Sequence, residues 1–273
     1  MKKTLLFIFI SFTFFCCNSD DENNENIEIV EDYSEYTTEN SLDHEIDFMP
    51  IEVYNNSNSP QNPSLKLQLN TVELLPCANY EIITTQFTKA NELIIRLEDV
   101  PDPIPCALNY GHAYAYIDLP ENISEVTLIN GNTIDKYIIE INNEKVNISL
   151  IENNFTNLLY EKTFRYPENS FAYICGTSND NTNIYEDFSA IIEQNPNITE
   201  FEFVGEGRIP YQESQGNKVN HPSKFYKYSS IEDFNSLANI LNNYASENIE
   251  ENAGVSISII NWESTSYRSW LEN

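Results

Sequence analysis

Cys175-Gly176-Thr177-Ser178 is where the side chains of this chain come nearest to a reactive arrangement. The mostly apolar run Phe171-Ala-Tyr-Ile-Cys175 has the composition of a buried strand. It delivers a thiol to a turn that leads into a helix, the geometry of a nucleophile or of an anion-binding turn. A cysteine hydrolase also needs a histidine base, and His112 and His221 are the available ones. Neither sits in a catalytic motif, and burial as an inert thiol is the commoner fate of such a Cys. With only 7 glycines the chain carries neither GxGxxG nor GxxxxGK(S/T), so a phosphate cradle is not expected. His44, His112 and His221 are isolated and make no zinc pattern. No cofactor, no metal and no catalytic residue are therefore expected.

Binding chemistry is better represented, in the segment from Gly205 to Tyr228. It holds Arg208, Lys218, Lys224 and Lys227, four of the 14 Lys and Arg in the chain, interleaved with Tyr211, Phe225, Tyr226 and Tyr228. Aromatic faces beside cationic and amide donors such as Gln212 suit sugar rings or the acidic patch of a partner protein. The expected contact set is Arg208, Tyr211, Lys224, Phe225, Tyr226 and Tyr228, extended by Trp270. Trp262 is expected in the core. The competing reading makes Lys224–Tyr228 an edge strand whose charges balance an acidic domain. Two weaker clusters lie upstream. His112, Tyr114 and Tyr116 alternate along one strand face, and Glu98, Asp99 and Asp102 flank three prolines. Ordinary strand faces and solvated loop charges account for both.

The elements that must position these residues fall into two blocks. Across 65–152, short runs of alternating apolar residues are separated by turn residues, the signature of strands. Expected strands are Leu65–Leu75, Tyr80–Phe87, Glu92–Leu97, Ala113–Leu119, Val126–Ile129, Lys136–Ile141 and Val146–Ile151. Asn130-Gly131 marks a tight hairpin, because both residues tolerate positive φ, and Asn142-Asn143 marks another. Seven short strands with little helix read as an immunoglobulin-like β-sandwich. Residues 153–169 form a connector closed by Pro167.

Across 170–273 the periodicity alternates between strand and helix. Asn183-Ile-Tyr-Glu186 and Ser229-Ser-Ile-Glu232 have capping-box spacing. The helices they open place Ile184, Phe188, Ile191 and Ile192, and Phe234, Leu237, Ala238, Leu241 and Tyr244, on single faces. Thr199–Val204 and Val255–Ile259 alternate as strands. The expected order is β-α-β-loop-α-β, a small α/β or α+β module, so that the fold class is mixed.

The N-terminus supplies context. Lys2 and Lys3 precede the apolar run Leu5–Phe15, too short for a bilayer core that needs about twenty residues and suited to a signal-peptide h-region. It ends at Cys16-Cys17, followed by Asn18-Ser19-Asp20-Asp21-Glu22. A cysteine there resembles the lipobox of bacterial lipoproteins, and the acidic stretch resembles the export signal of lipoproteins sent to the exterior face of some outer membranes. The resemblance covers residues 1–22. It implies a signal peptide over 1–16, lipidation at Cys17 (alternatively Cys16) and anchoring in the outer membrane facing the exterior. From 17 to 64, Asp, Glu, Asn, Ser and Thr dominate and predict a flexible acidic tether. The apolar patch Phe48-Met49-Pro50-Ile51 within it reads either as a first strand or as sticky linker.

In an oxidising compartment Cys77 and Cys106 are the natural disulfide pair, leaving Cys175 alone. The chain has 43 Asp and Glu against 14 Lys and Arg, a net charge of −29. Such a polyanion repels phosphate backbones, so nucleic acid is not an expected partner. The expectation is a lipid-anchored cell-surface protein with a non-catalytic binding role toward a glycan or a protein. An extracellular hydrolase acting on polymer and a structural accessory subunit of a surface assembly are the alternatives.

Overall fold

The computed structural model describes residues 32–55, 60–178 and 183–271. Residues 1–16, the expected signal peptide, and both candidate lipidation sites, Cys16 and Cys17, lie outside the described residues. The chain divides into two compact units, Met1–Glu35 and Tyr36–Asn273. In the first, the Ser34 amide donates to Asp32 Oδ1 at 2.9 Å. The second is mostly β.

The tether expected over 17–64 gives way to folded chain well before its predicted end. Strand β1 (Ile46–Val53) runs antiparallel to β2 (Ser64–Thr71) along its whole length. The patch at Phe48–Ile51 is therefore strand, with Ile46 and Phe48 fully buried. Upstream of it, Asn130 takes the Leu42 amide at 2.7 Å and donates to the Leu42 carbonyl at 2.9 Å. Local composition underestimates this segment because its few apolar residues include two that are fully buried.

The following strands are β3 (Leu75–Cys77), β4 (Ile83–Lys89), β5 (Glu92–Asp99), β6 (Leu108–Gly111), β7 (Tyr114–Asp118) and β8 (Glu125–Asn130). Next come β9 (Thr133–Ile141), β10 (Lys145–Glu152), β11 (Thr156–Leu158) and β12 (Lys162–Phe164). They form a sheet of order β11-β1-β2-β7, a second of order β12-β10-β9-β8-β5-β4, and the small pair β3-β6. The β1–β11 and β5–β8 pairs are parallel and the rest antiparallel. Alternating residues from the two large sheets, among them Phe48, Leu67, Leu69 and Ile117 against Ile95, Leu128, Tyr137 and Ile148, make one core, the packing of a sandwich. Gly131 turns the β8–β9 hairpin with φ of +62°. The expected Cys77–Cys106 disulfide is present, and Cys175 is the free, buried cysteine among the described residues.

Asp135, on β9 and fully buried, organises the turn into β11. It accepts from the backbone amides of Asn154, Phe155 and Thr156 and from the Thr156 hydroxyl. A carboxylate can lose its hydration here because protein donors replace it.

The rest of the chain adds β13 (Ser170–Thr177), α1 (Ile184–Ile192), β14 (Ile198–Phe201), β15 (Val219–Asn220), β16 (Lys224–Tyr228), α2 (Ile231–Asn248), β17 (Ser256–Asn261) and β18 (Ser266–Arg268). The sheet order is β14-β16-β13-β17-β18, with β15 paired to β13, and every pairing is antiparallel. Both helices cover one face, packing Phe188, Ile192, Phe234, Leu237 and Leu241 onto Phe171, Tyr173, Cys175, Ile257 and Ile259.

Helix starts differ in detail from the spacing signals. Asn183 makes no side-chain cap bond. The α2 capping box sits one residue later than expected: Ser230 accepts from the Asp233 amide, and the Asp233 carboxylate accepts from the Ser230 amide. A shorter Asp closes the box in place of Glu232. Strand β14 stops at Phe201, leaving Val204 exposed.

Candidate functional site

The helix-free face of the third sheet presents Ala172 and Ile174 from β13, Phe225 from β16, and Ser256, Ser258 and Ile260 from β17. The segment between β14 and β15 folds back over half of it. Tyr211 packs on Ala172 and Ile174, joined by Tyr166, Phe203, Ile209, Phe225 and Ile260. Tyr166 and Tyr211 meet edge to face, with centroids 4.8 Å apart. Burial pushes the Tyr211 phenol well above its ordinary range. Its oxygen is within 2.7 Å of Ser170 Oγ, so it is a neutral wall of the site.

The β17–β18 half of the face stays open as a groove. One hollow of about 480 Å³ is lined by Ile174, Gln212, Glu213, Ser214, Gln215, Ser256, Ser258, Ile260, Arg268 and Trp270. A second of about 440 Å³ shares Gln212, Ile260 and Arg268 with it and continues to Tyr54, Tyr166, Arg208 and Tyr211. Arg268 lies over the Trp270 ring, Cζ to centroid 5.8 Å, and Trp270 is 53% exposed. Arg208 is held from its backbone. Its amide donates to the Lys162 carbonyl at 2.9 Å, and its carbonyl accepts from the Phe164 amide at 2.8 Å. The groove thus offers an aromatic plate, two guanidinium groups, amides and hydroxyls on a rigid floor, the mixture that orients a polar, ring-bearing ligand.

The six residues expected to form one binding surface do not. Only Arg208 and Tyr211 line the groove. Tyr226 and Tyr228 belong to the core on the opposite, helix-covered face. Lys224 points to that side too, donating to Glu193 at 3.0 Å and to Ser189 Oγ at 3.3 Å. Phe225 is packed among Phe201, Phe203 and Tyr211. The alternative of an edge strand also fails: β16 lies between β13 and β14. Its aromatic residues are consumed by two cores, Tyr226 and Tyr228 under the helices and Phe225 under Phe203 and Tyr211, while Lys227 stays exposed. Trp270 does line the groove, whereas Trp262 packs against the helix-side core and donates to the Tyr228 hydroxyl at 3.0 Å.

Ser256, Ser258 and Arg268 were missed. The signal lies in Val255-Ser-Ile-Ser-Ile259, whose polar alternates Ser256 and Ser258 face the groove opposite the buried Ile257 and Ile259.

His221 lies beside Cys175, its amide donating to the Cys175 carbonyl at 3.1 Å, but the thiol and the imidazole are engaged elsewhere. Burial holds Cys175 up at about 11, on the helix side of the sheet. His221 stacks on Tyr185 at 4.6 Å, and its Nε2 is 2.8 Å from Thr177 Oγ1. Gly176 lets a neighbour approach: a Cβ there would meet the Asn217 side chain at 1.9 Å, and that amide donates to Ser256 Oγ at 2.9 Å. Upstream, His112 Nδ1 is 2.7 Å from the Thr71 carbonyl, and Asp102 accepts from the Tyr80 hydroxyl at 2.6 Å.

No protein-family model, curated protein or solved structure matches this chain.

Proposed function

We propose that this chain is a lipid-anchored protein of the cell exterior that binds a glycan non-catalytically in the groove of its third sheet. The observation that carries the reading is the Arg268–Trp270 plate beside Gln212, Ser256 and Ser258. Sugars are bound by an aromatic face under the ring and by planar donors at its hydroxyls. The groove lining carries two carboxylates, the exposed Glu213 and Glu52, and binding rather than hydrolysis is favoured because Glu52 is engaged by Arg165 and the Tyr166 amide. Glycoside hydrolysis needs a pair of carboxyls, both available to the substrate. The sandwich, read as immunoglobulin-like, then serves as the spacer that presents the binding sheet.

The test is isothermal titration calorimetry of the full-length protein in detergent, titrated with a panel of neutral and acidic oligosaccharides. One glycan class should give a saturable change that Trp270→Ala and Arg268→Ala weaken at least tenfold. A panel without any saturable change, or binding indifferent to both substitutions, would remove the reading.

A further inference from the structure

We infer that the disulfide-bonded end of the sandwich is a second interaction surface, independent of the groove, and that it docks a protein presenting an apolar pocket rimmed by Lys and Arg. Ile104 is 97% exposed, Leu108 96%, Tyr110 69% and Leu74 57%. Single exposed apolar residues are ordinary, but these four belong to one structural corner. Leu108 lies opposite Cys77 and Gly111 opposite Leu75 in the β3–β6 pair, while Ile104 is two residues from Cys106. A cluster of this kind marks an interaction site on a soluble domain.

The corner is held, so its exposure does not reflect a slack loop. The Cys77–Cys106 bond crosses its base. Asn79 donates to the Pro105 carbonyl at 2.9 Å and accepts from the Ala107 amide at 2.8 Å. The Ala78 amide donates to the Ala107 carbonyl at 3.1 Å. Tyr80 anchors the upstream arm through Asp102. Ile104 and Leu108 are thus presented on a backbone fixed on both sides of the disulfide, which lowers the ordering cost of binding.

Charge selects the occupant. Residues 72–83 and 97–111 contain Glu73, Glu81, Glu98, Asp99 and Asp102 and neither Lys nor Arg. Arg96 answers Glu98 at 2.8 Å and His44 contacts Glu73, which leaves the corner net acidic. An anionic lipid surface attracts apolar segments with basic flanks and repels this one. A second copy of the chain would bring the same acidic rim. A protein with a cationic border around an apolar cleft satisfies both features.

The experiment places a photo-cross-linking phenylalanine analogue at Leu108 of the full-length chain in its own cells, with Ile138 on the other large sheet as the control position. The cross-linked protein is identified by mass and purified, and its affinity for the unlabelled full-length chain is measured at several salt concentrations. A partner captured at Leu108 but not at Ile138 should bind more weakly as salt rises. It should lose at least about tenfold in affinity with either Ile104→Asp or Leu108→Asp. Both side chains face solvent, so an unchanged melting curve certifies the fold of the variants. Cross-links only to lipid, only to another copy, or to nothing would overturn the inference. So would a partner indifferent to salt and to both substitutions.

Discussion

Glu52 and Arg165 form an ion pair at 2.9 Å in which the Glu52 side chain is only 4% exposed and that of Arg165 16%. The second Glu52 oxygen accepts from the Tyr166 amide at 2.6 Å, and Arg165 also reaches Glu121 at 3.0 Å and the Asn142 carbonyl at 3.1 Å. Glu52 is the penultimate residue of β1, and Arg165 opens the segment leading to the third sheet. Tyr54 continues the joint, donating to the Trp262 carbonyl at 2.8 Å. Removing one partner of a buried pair leaves a charge in low dielectric with nothing to answer it. Arg165→Ala should therefore cost about 3–5 kcal/mol, read by chemical denaturation. A loss under about 1 kcal/mol would mean that water reaches Glu52 freely.

Asp135 should be the most sensitive acid in the sandwich. Asp135→Ala strands the amides of Asn154, Phe155 and Thr156, which have no other partner in that turn. Losing bonds to a buried charge costs about 3 kcal/mol, or roughly 6–12 °C in melting temperature for a domain of this size. Calorimetry checks it. Hydrogen exchange should localise the loosening to residues 153–158.

Cys175 should resist thiol reagents. Burial keeps the thiol protonated up to about 11, so at pH 8 the reactive thiolate is scarce and the sulfur is also inaccessible. Peptide mass mapping after iodoacetamide treatment at pH 8 should find Cys175 unmodified in the native protein and modified in denaturant. Rapid labelling without denaturant would return the cysteine to consideration as a nucleophile.

Acid should weaken the start of α2. Asn197 and Ser230 donate to the Asp233 carboxylate and hold it below its ordinary value of 3.8. A depressed acid adds stability that is complete above 3.8 and is lost as pH falls through the lowered native value. Between pH 4 and 2 the wild type should lose more stability than Asp233→Asn, followed by helical circular dichroism on thermal melting. Parallel losses in the two proteins would show that the cap contributes nothing to acid sensitivity.

Lipidation should depend on Cys17. Cys17→Ser should abolish incorporation of a labelled fatty acid and release the protein from membranes, while Cys16→Ser should leave both intact. The reverse result would transfer the anchor to Cys16.

Periodicity alone located most elements. The alternation in Lys136–Ile141 and Val146–Ile151 reappears as β9 and β10, and the 3.6-residue spacing of Phe234, Leu237, Leu241 and Tyr244 reappears as the buried face of α2. These patterns are local, set by which residues along one strand or helix must leave water. The pairing of Cys77 with Cys106 was legible for a similar reason, since few cysteines compete.

Sequence by itself determined which segments have an apolar side. Tertiary structure decided what covers each one. Lys224-Phe-Tyr-Lys-Tyr228 looks like a binding strip while its neighbours in space are unknown. It becomes part of two cores once the helices cover Tyr226 and Tyr228 and the segment carrying Tyr211 covers Phe225, with Lys227 left exposed. Ser256, Ser258 and Arg268 look unremarkable along the chain and become a groove floor because the segment carrying Tyr211 covers only the other half of their sheet. Which half stays open depends on contacts such as Arg208 with Lys162 and Phe164, between residues more than forty positions apart, and a local pattern does not encode them.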